Sequence, residues 1–255
     1  MAGPARHRHL LYVEGPDDEH AIGHLLIQRG VDPRALPDFK DVGGKQGLLQ
    51  AIPVAVRAGT GKSLAFVIDA NDDPRSTWES IASRLERVGI EAPDEIPEGG
   101  FAGKSVDYCA RVGVWLMPDN RKTGALEDFL RDLIDQSDPL LCLAEHSAEK
   151  AKQLGAKYSD RDAQKAVLHT WLAWQKDPGR PYGVAIKARF FGVDSAAMDE
   201  FVSWFQRVFG VTAQPPAGTS RGRVQARPVR NRPGPGTWGV DSIDRYGTIG
   251  GSQGP

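Results

Sequence analysis

The chain has 255 residues, of which 40% are apolar and 25% are charged, and its formal net charge at pH 7 is −1. This composition is typical of a globular protein with a hydrophobic core, and no stretch approaches the roughly 18 uncharged apolar residues of a membrane span. The first residues include basic side chains but only a short apolar run. This pattern predicts neither a secretory signal nor a transit peptide, so we expect a cytoplasmic protein with no membrane partner.

The charge is distributed unevenly along the chain. Residues 214–255 contain six arginines and two aspartates, a local charge of +4, which leaves −5 for residues 1–213. The last part of the chain is also rich in Gly, Pro and Ser and has no hydrophobic periodicity, which predicts a domain over residues 8–210 and a disordered tail over residues 211–255. Because phosphate affinity comes largely from lysine and arginine, an acidic body can bind nucleic acid only through a metal ion or local basic patches.

Neither the cysteines nor the histidines indicate a zinc site. Cys109 and Cys142 lie far apart without CxxC or histidine spacing, so we predict two buried, unpaired thiols rather than a disulfide or zinc framework. His20 and His24 are one helical turn apart, but no third ligand follows at a suitable spacing. We interpret this pair as the flank of a helix.

Short apolar runs alternate with helical patterns from residue 10 to about residue 209. The predicted strands are HLLYVEG, FKDV, SLAFVID and VGVWLM, and each is followed by a helical pattern. This alternation predicts an α/β fold with a mainly parallel, four-stranded sheet and helices on both faces. Residues 91–111 interrupt the pattern and predict a loop that can contain a β-hairpin. After residue 138 three further helical patterns predict C-terminal helices that pack on the sheet.

Two of the predicted strands end in a carboxylate, Glu14 and Asp69. Ligands of parallel α/β sheets bind at the carboxyl ends of the strands, where these two side chains would meet and repel each other unless a divalent cation neutralised them. Mg²⁺ prefers such oxygen ligands. The sequence therefore predicts a Mg²⁺ or Mn²⁺ site with Glu14 and Asp69 as catalytic residues and ligands, and Asp18 and Asn71 are expected to face the same crevice.

The alternative for each acid taken singly is a helix cap or a solvated loop carboxylate. We interpret Asp17, Asp72 and Asp73 in this way, since carboxylates are favoured at helix starts and turns without any catalytic role.

A glycine pair between the second strand and its helix suggests a phosphate site. The backbone N–H groups of Gly43 and Gly44, together with the Lys45 amine, can bind a phosphate at a helix N-terminus, although an ordinary turn explains the pattern equally well. The later AGTGKS, residues 58–63, lacks the first glycine of a Walker A loop and leads into a strand rather than a helix. We therefore exclude an ATP-binding loop there.

The segments LYVEGPDDEHAIGHLL and FVIDANDD resemble the Toprim domain, the metal-binding fold of topoisomerases, primases, recombination proteins and OLD-type nucleases. The signature of that family is a glutamate ending the first strand and a DxD motif ending the third. By the resemblance, Asp18 occupies a ligand position of OLD-type nucleases, whereas Asn71 stands where the second aspartate of DxD is expected. Residues 113–130 and 162–183 resemble a small uncharacterised bacterial Toprim family, and the resemblance extends over residues 8–210. It implies that Glu127 is a further acid facing the site.

The resemblance implies Mg²⁺-dependent phosphoryl transfer on nucleic acid, in particular by a nuclease. The alternative is a degenerate Toprim domain that binds a nucleotide, nucleic acid or protein without catalysis, and Asn71 favours this alternative because an amide carries no charge. A homodimer, or a partner protein in a phage-defence system, is a further hypothesis.

Overall fold

The computed structural model describes residues 9–213, in which strands and helices alternate along the first half of the chain. The strands are β1 (Leu10–Val13), β2 (Asp38–Asp41), β3 (Ser63–Asp69), β4 (Phe101–Ser105) and β5 (Ala110–Met117). The α-helices are α1 (Pro16–Gln28), α2 (Lys45–Ala58), α3 (Pro74–Glu86), α4 (Leu126–Asp132), α5 (Pro139–Gln153), α6 (Ala163–Ala173), α7 (Tyr182–Lys187) and α8 (Ala196–Phe209). None of the helices in this part of the chain is long and apolar enough to cross a membrane. Of the tail predicted over residues 211–255, the part from residue 214 onward lies outside the described residues.

The five strands form one mostly parallel sheet in the order β2-β1-β3-β5-β4. The four strands predicted from the sequence are β1, β2, β3 and β5, and they pair in parallel. The prediction of a four-stranded sheet is wrong, because β4 adds an antiparallel edge strand next to β5. β4 forms a hairpin with β5, in the region where the sequence predicts a loop that can contain a β-hairpin. Its sequence FAGKS has only two apolar residues, Phe101 and Ala102, which is too few to indicate a strand.

Side chains of the central strands alternate between two hydrophobic layers, as the period of two in a β-strand requires. On β3, Leu64, Phe66 and Ile68 face α2 and α3. Ala65 and Val67 face the opposite layer, which contains α1 and α4 to α8. The prediction of helices on both faces is therefore confirmed, and the C-terminal helices all pack on the same face as α1.

Helix α8 is anchored against β5 by close packing. The indole N–H of Trp204, which is fully buried, donates to the carbonyl oxygen of Phe101 at 2.9 Å. Gly113 lies beneath the same helix, and a Cβ atom at this position would be only 2.3 Å from the Cγ2 atom of Val208. The helix can therefore approach the strand this closely only because residue 113 has no side chain.

The prediction that both cysteines are buried is wrong. Cys109 lies in the turn between β4 and β5, where the chain reverses direction and its backbone has a φ of 49°. Cys142 is exposed on α5, beside the buried positions Leu141 and Ala144, and its Sγ atom is 3.5 Å from Nδ1 of His146. A hairpin turn and the outer side of a helix both place these residues at the surface, although cysteine is usually buried.

Substitution Gly113→Ala should lower the free energy of unfolding by roughly 1 to 3 kcal/mol, because the added methyl group collides with Val208. Gly23→Ala is the matched control, since its Cβ would meet Phe39 at an ordinary 3.8 Å and alanine favours the helix. Urea unfolding followed by circular dichroism compares the two variants. Equal stability of the two would contradict the proposed packing of α8.

Candidate active site

The carboxyl ends of β1 and β3 place two acidic side chains together. Glu14 directly follows β1, Asp69 is the last residue of β3, and the two strands are parallel neighbours. The backbone N–H of Asp69 donates to Oε1 of Glu14 at 2.9 Å. Both residues line a pocket of about 240 Å³.

Two helix N-termini bring further carboxylates to this pocket. Asp18 lies in the first turn of α1 and Glu127 in the first turn of α4, and both line the pocket. Asp18 also accepts a hydrogen bond from the backbone N–H of Gly15 at 2.9 Å, which fixes its position at the helix start. Asp17 is exposed at the rim of the same pocket, in the helix-start position predicted for it. Each helix N-terminus carries a partial positive charge that favours these acids.

The end of β3 is connected to α4 through backbone groups. The N–H of Leu126 donates to Oδ1 of Asp69 at 3.1 Å. Asn71 and Gly124 exchange two backbone hydrogen bonds, of 2.7 and 2.8 Å. The segment before α4 is thereby held against the end of β3, which places Glu127 beside Asp69.

Burial and mutual repulsion make this pocket unfavourable for negative charge. The pKa of Asp69 is raised to about 8, first by burial and then by the neighbouring carboxylates, Glu14 before the others. Burial is also the main reason that the pKa of Asp18 is raised to about 7. The pKa of Glu14 is raised by burial, and hydrogen bonds from Asp69 and the charge of Lys45 oppose this shift. At neutral pH the acids therefore share protons unless a cation is bound.

Lys165 of α6 is the only basic residue among the described residues that line the pocket. Its Nζ atom is 3.1 Å from Oε1 of Glu127. Glu127 also contacts the hydroxyl of Tyr182, a buried side chain at the start of α7 whose pKa burial raises. Sequence reasoning missed both residues, because the pattern of α6 predicts only an amphipathic helix and the short α7 gives no clear helical signal.

The pocket has the type of side chain that Mg²⁺ prefers, but these side chains are not yet close enough together to coordinate an ion. Carboxylate oxygens are the ligands that Mg²⁺ prefers, and the pocket offers four that are at least partly buried, from Glu14, Asp18, Asp69 and Glu127. Within residues 9–213, however, no three His, Cys, Asp or Glu side chains are gathered closely enough to hold a metal ion. Binding therefore requires side-chain rotations that bring oxygens to about 2.1 Å from a common point.

Asn71 does not line the carboxylate pocket. It lies in a neighbouring pocket together with Lys45 and Arg161, and its backbone has a left-handed φ of 57°. Its side-chain amide is directed to the carbonyl oxygen of Asp69, at 3.4 Å. The structure therefore does not place Asn71 in the crevice in which the sequence predicted it.

The other acids near the end of β3 have structural roles. Asp73 caps α3 by accepting a hydrogen bond from the N–H of Ser76 at 2.9 Å. Asp72 forms an ion pair with Arg161 at 2.8 Å. Both contacts agree with the interpretation of these residues as turn or helix-start carboxylates.

The proposed phosphate loop is occupied by contacts within the chain. The N–H of Gly43 donates to Asp41 at 2.9 Å, and the N–H of Gly44 donates to the carbonyl oxygen of Glu14 at 2.7 Å. The Lys45 amine donates to the carbonyl oxygens of residues 69 and 70, at 3.0 and 3.3 Å, and to Oγ1 of Thr77 at 2.7 Å. In this arrangement the loop supports the ends of β1 and β3 rather than offering free groups to a phosphate.

These features define an α/β protein with an acidic pocket at the carboxyl ends of two parallel strands. The chain belongs to the DUF3226 family, described as a protein of unknown function, whose family model matches residues 8–210. The matched range contains every residue that lines the carboxylate pocket. Neither a curated protein nor a solved structure matched the chain.

In a chelating buffer, Asp69→Asn should become more stable relative to the wild type as the pH rises. Because the pKa of Asp69 is raised in the folded protein, its protonated form contributes to stability. This contribution is fully present below the ordinary pKa of 3.8 and is lost as the pH rises through about 8. We expect a difference of roughly 1 to 3 kcal/mol at pH 8.5 and almost none at pH 4. Asparagine keeps the oxygen that accepts from Leu126.

Urea unfolding in EDTA at the two pH values measures this difference, provided that both proteins are folded at pH 4. Addition of Mg²⁺ at pH 8.5 is the internal control, because the ion should stabilise the wild type and reduce the difference. If the variant and the wild type differed equally in free energy of unfolding at both pH values, ionisation of Asp69 would not be the cause of the difference.

Proposed function

We propose that this protein is a Toprim-type nuclease that depends on Mg²⁺ or Mn²⁺. The observation that carries the proposal is the convergence of Glu14, Asp18, Asp69 and Glu127, from four different elements, on one pocket at the carboxyl edge of a parallel sheet. A pocket of buried acids repels a phosphate as strongly as it attracts a cation. A substrate phosphodiester can therefore enter it only with a bound cation.

In this proposal Asp69 is the main ligand, Asp18 and Glu127 complete one or two ion sites, and Glu14 serves as the general base. A bound ion would neutralise charge on the phosphate oxygens and would activate water for attack. The chain contributes the base: burial raises the pKa of Glu14, which prepares this carboxylate to take a proton from the attacking water. Lys165 forms an ion pair with Glu127 and offsets part of the negative charge of the pocket.

Nuclease activity should be lost in Glu14→Gln and in Asp69→Asn. Loss of one carboxylate of a catalytic metal site removes several kcal/mol of transition-state stabilisation, so we expect a decrease of about 10²-fold or more. The measurement is cleavage of labelled single- and double-stranded DNA and RNA with Mg²⁺ or Mn²⁺.

Glu86→Gln is the matched control, because it removes an exposed carboxylate at the end of α3, away from the pocket residues. It should cleave like the wild type. No cleavage by the wild type on any of these substrates, or equal cleavage by the wild type and both pocket variants, would refute the proposal.

A second candidate is a domain that binds a nucleotide, nucleic acid or protein partner without catalysis. Two observations favour it: Asn71 stands outside the pocket, and the carboxylates are not gathered as ligands. Calorimetry with Mg²⁺ separates the candidates. The nuclease requires that the wild type binds Mg²⁺ and that Asp69→Asn does not. Asn71→Asp adds a further distinction. Cleavage by Asn71→Asp but not by the wild type would show that the wild-type site is impaired. Equal cleavage by the wild type and Asn71→Asp would favour the nuclease.

A further inference from the structure

The edge of the sheet at β4 carries a concentrated positive charge on an otherwise acidic domain. A groove of about 500 Å³ is lined by Ala102, Gly103, Lys104, Arg111 and Arg207, and we call this surface the basic groove. It contains three cationic residues and no acidic one. Residues 1–213 as a whole have a formal charge of −5, so the groove is the kind of local patch through which an acidic protein can attract an anion.

The three cations are placed together by the strand register and by α8. Lys104 and Arg111 are directly opposite each other in the antiparallel pair of β4 and β5, so their side chains emerge on the same face. The guanidinium of Arg207 donates to the carbonyl oxygens of Gly99 and Gly100. The guanidinium of Arg111 donates in turn to the carbonyl oxygen of Arg207, at 3.2 Å. Both arginines are thus held by neutral groups, which leave their charges uncompensated.

This arrangement is unfavourable without an anion. Like charges directly opposite each other on an antiparallel pair destabilise the sheet. None of the three cations forms an ion pair with an acidic residue in the part of the chain that the structure describes. Other exposed cations do so, for example Arg121 with Glu98 and Glu200. The groove is therefore distinguished by the absence of the carboxylates that accompany such charges elsewhere.

We propose that the basic groove binds the sugar-phosphate backbone of a nucleic acid, an assignment that rests on the proposed nuclease function and names its substrate-binding surface. Guanidinium groups match phosphate oxygens in geometry and charge. The small side chain of Ala102, which lies on the same face of β4 as Lys104, leaves room for the sugar-phosphate backbone to approach the strand. Repeated phosphates, unlike a single anion, can contact all three cations at once.

The groove and the carboxylate pocket are far enough apart to bind different parts of one strand. Arg111 pairs with Ser63 at the start of β3, whereas Asp69 ends that strand six residues later. At about 3.3 Å per residue this is about 20 Å along the sheet. It corresponds to about six phosphates of one strand of a duplex, at about 3.4 Å each. The groove would thus provide affinity at a distance from the acidic pocket.

The test compares Lys104→Gln/Arg111→Gln with the matched control Lys40→Gln/Arg57→Gln. The control also removes two positive charges, one on the opposite edge strand β2 and one on α2, both from exposed residues. Binding of fluorescein-labelled single-stranded and duplex DNA is measured by fluorescence anisotropy in EDTA at several salt concentrations. EDTA separates this experiment from the proposed chemistry, because binding through the groove requires no metal ion.

We expect the groove variant to bind at least about tenfold more weakly at 50 mM salt. The slope of log K against log[salt] should decrease in magnitude by about 1.8 for duplex DNA, because two phosphate contacts are lost at about 0.9 each. The control should keep the wild-type slope. The arginines of residues 214–255 are identical in all three proteins, so their contribution cancels in the comparison. Thermal unfolding verifies that both variants are folded.

Three outcomes would overturn the proposal. The first is no DNA binding by the wild type at low salt. The second is an equal effect of the groove and control substitutions, which would indicate only a general dependence on net charge. The third is equally effective competition by poly-glutamate at matched charge, which would identify an acidic protein as the partner. Normal groove-dependent binding together with no cleavage by the wild type would refute the nuclease but keep the binding surface.

Discussion

The repulsion between buried carboxylates at the ends of β1 and β3 is the constraint on which the rest of this structure depends. Burial first, and then repulsion between neighbouring carboxylates, raises the pKa values of Asp69 and Asp18 in this pocket. The fold counteracts this repulsion with backbone N–H groups rather than with paired cations. The N–H of Asp69 donates to Glu14, and the N–H of Leu126 donates to Asp69. Each contact involves one oxygen of the carboxylate, Oε1 of Glu14 or Oδ1 of Asp69.

The elements around the pocket are arranged so that each supports one carboxylate. Helix α1 begins at Pro16, immediately after the end of β1, and its first turn carries Asp18. Lys45 connects the start of α2 to the end of β3 through two carbonyl oxygens, and its charge favours an ionised Glu14. Lys165 and Tyr182 approach from the C-terminal helices and contact Glu127. The C-terminal helices therefore contribute to the site as well as to the hydrophobic core.

Much of the fold was predictable from hydrophobic periodicity, and part of the site followed from it. The apolar runs that end at Glu14 and Asp69 locate two strand ends, and parallel topology then brings these residues together. The sequence predicts that residues 91–111 can contain a β-hairpin, but periodicity does not identify β4 as a strand, because FAGKS buries only its two terminal residues. The positions of Lys165 and Tyr182 depend on long-range helix packing, which a local pattern does not encode. Asn71 lies outside the pocket because its own backbone, two residues after the end of β3, is left-handed and its side-chain amide is directed back to the carbonyl oxygen of Asp69.

The opposite charges of the two surfaces give a physical reason for their separation. A basic groove beside the acids would be neutralised by ion pairs, as Lys165 is by Glu127, and would then add little affinity for phosphates. Placing the groove at β4 and the start of β5 keeps its charge available to a polyanion. The acidic pocket in turn stays selective for a cation. Affinity for a phosphate chain and the capacity for chemistry can therefore be provided by different parts of one sheet, each without reducing the other.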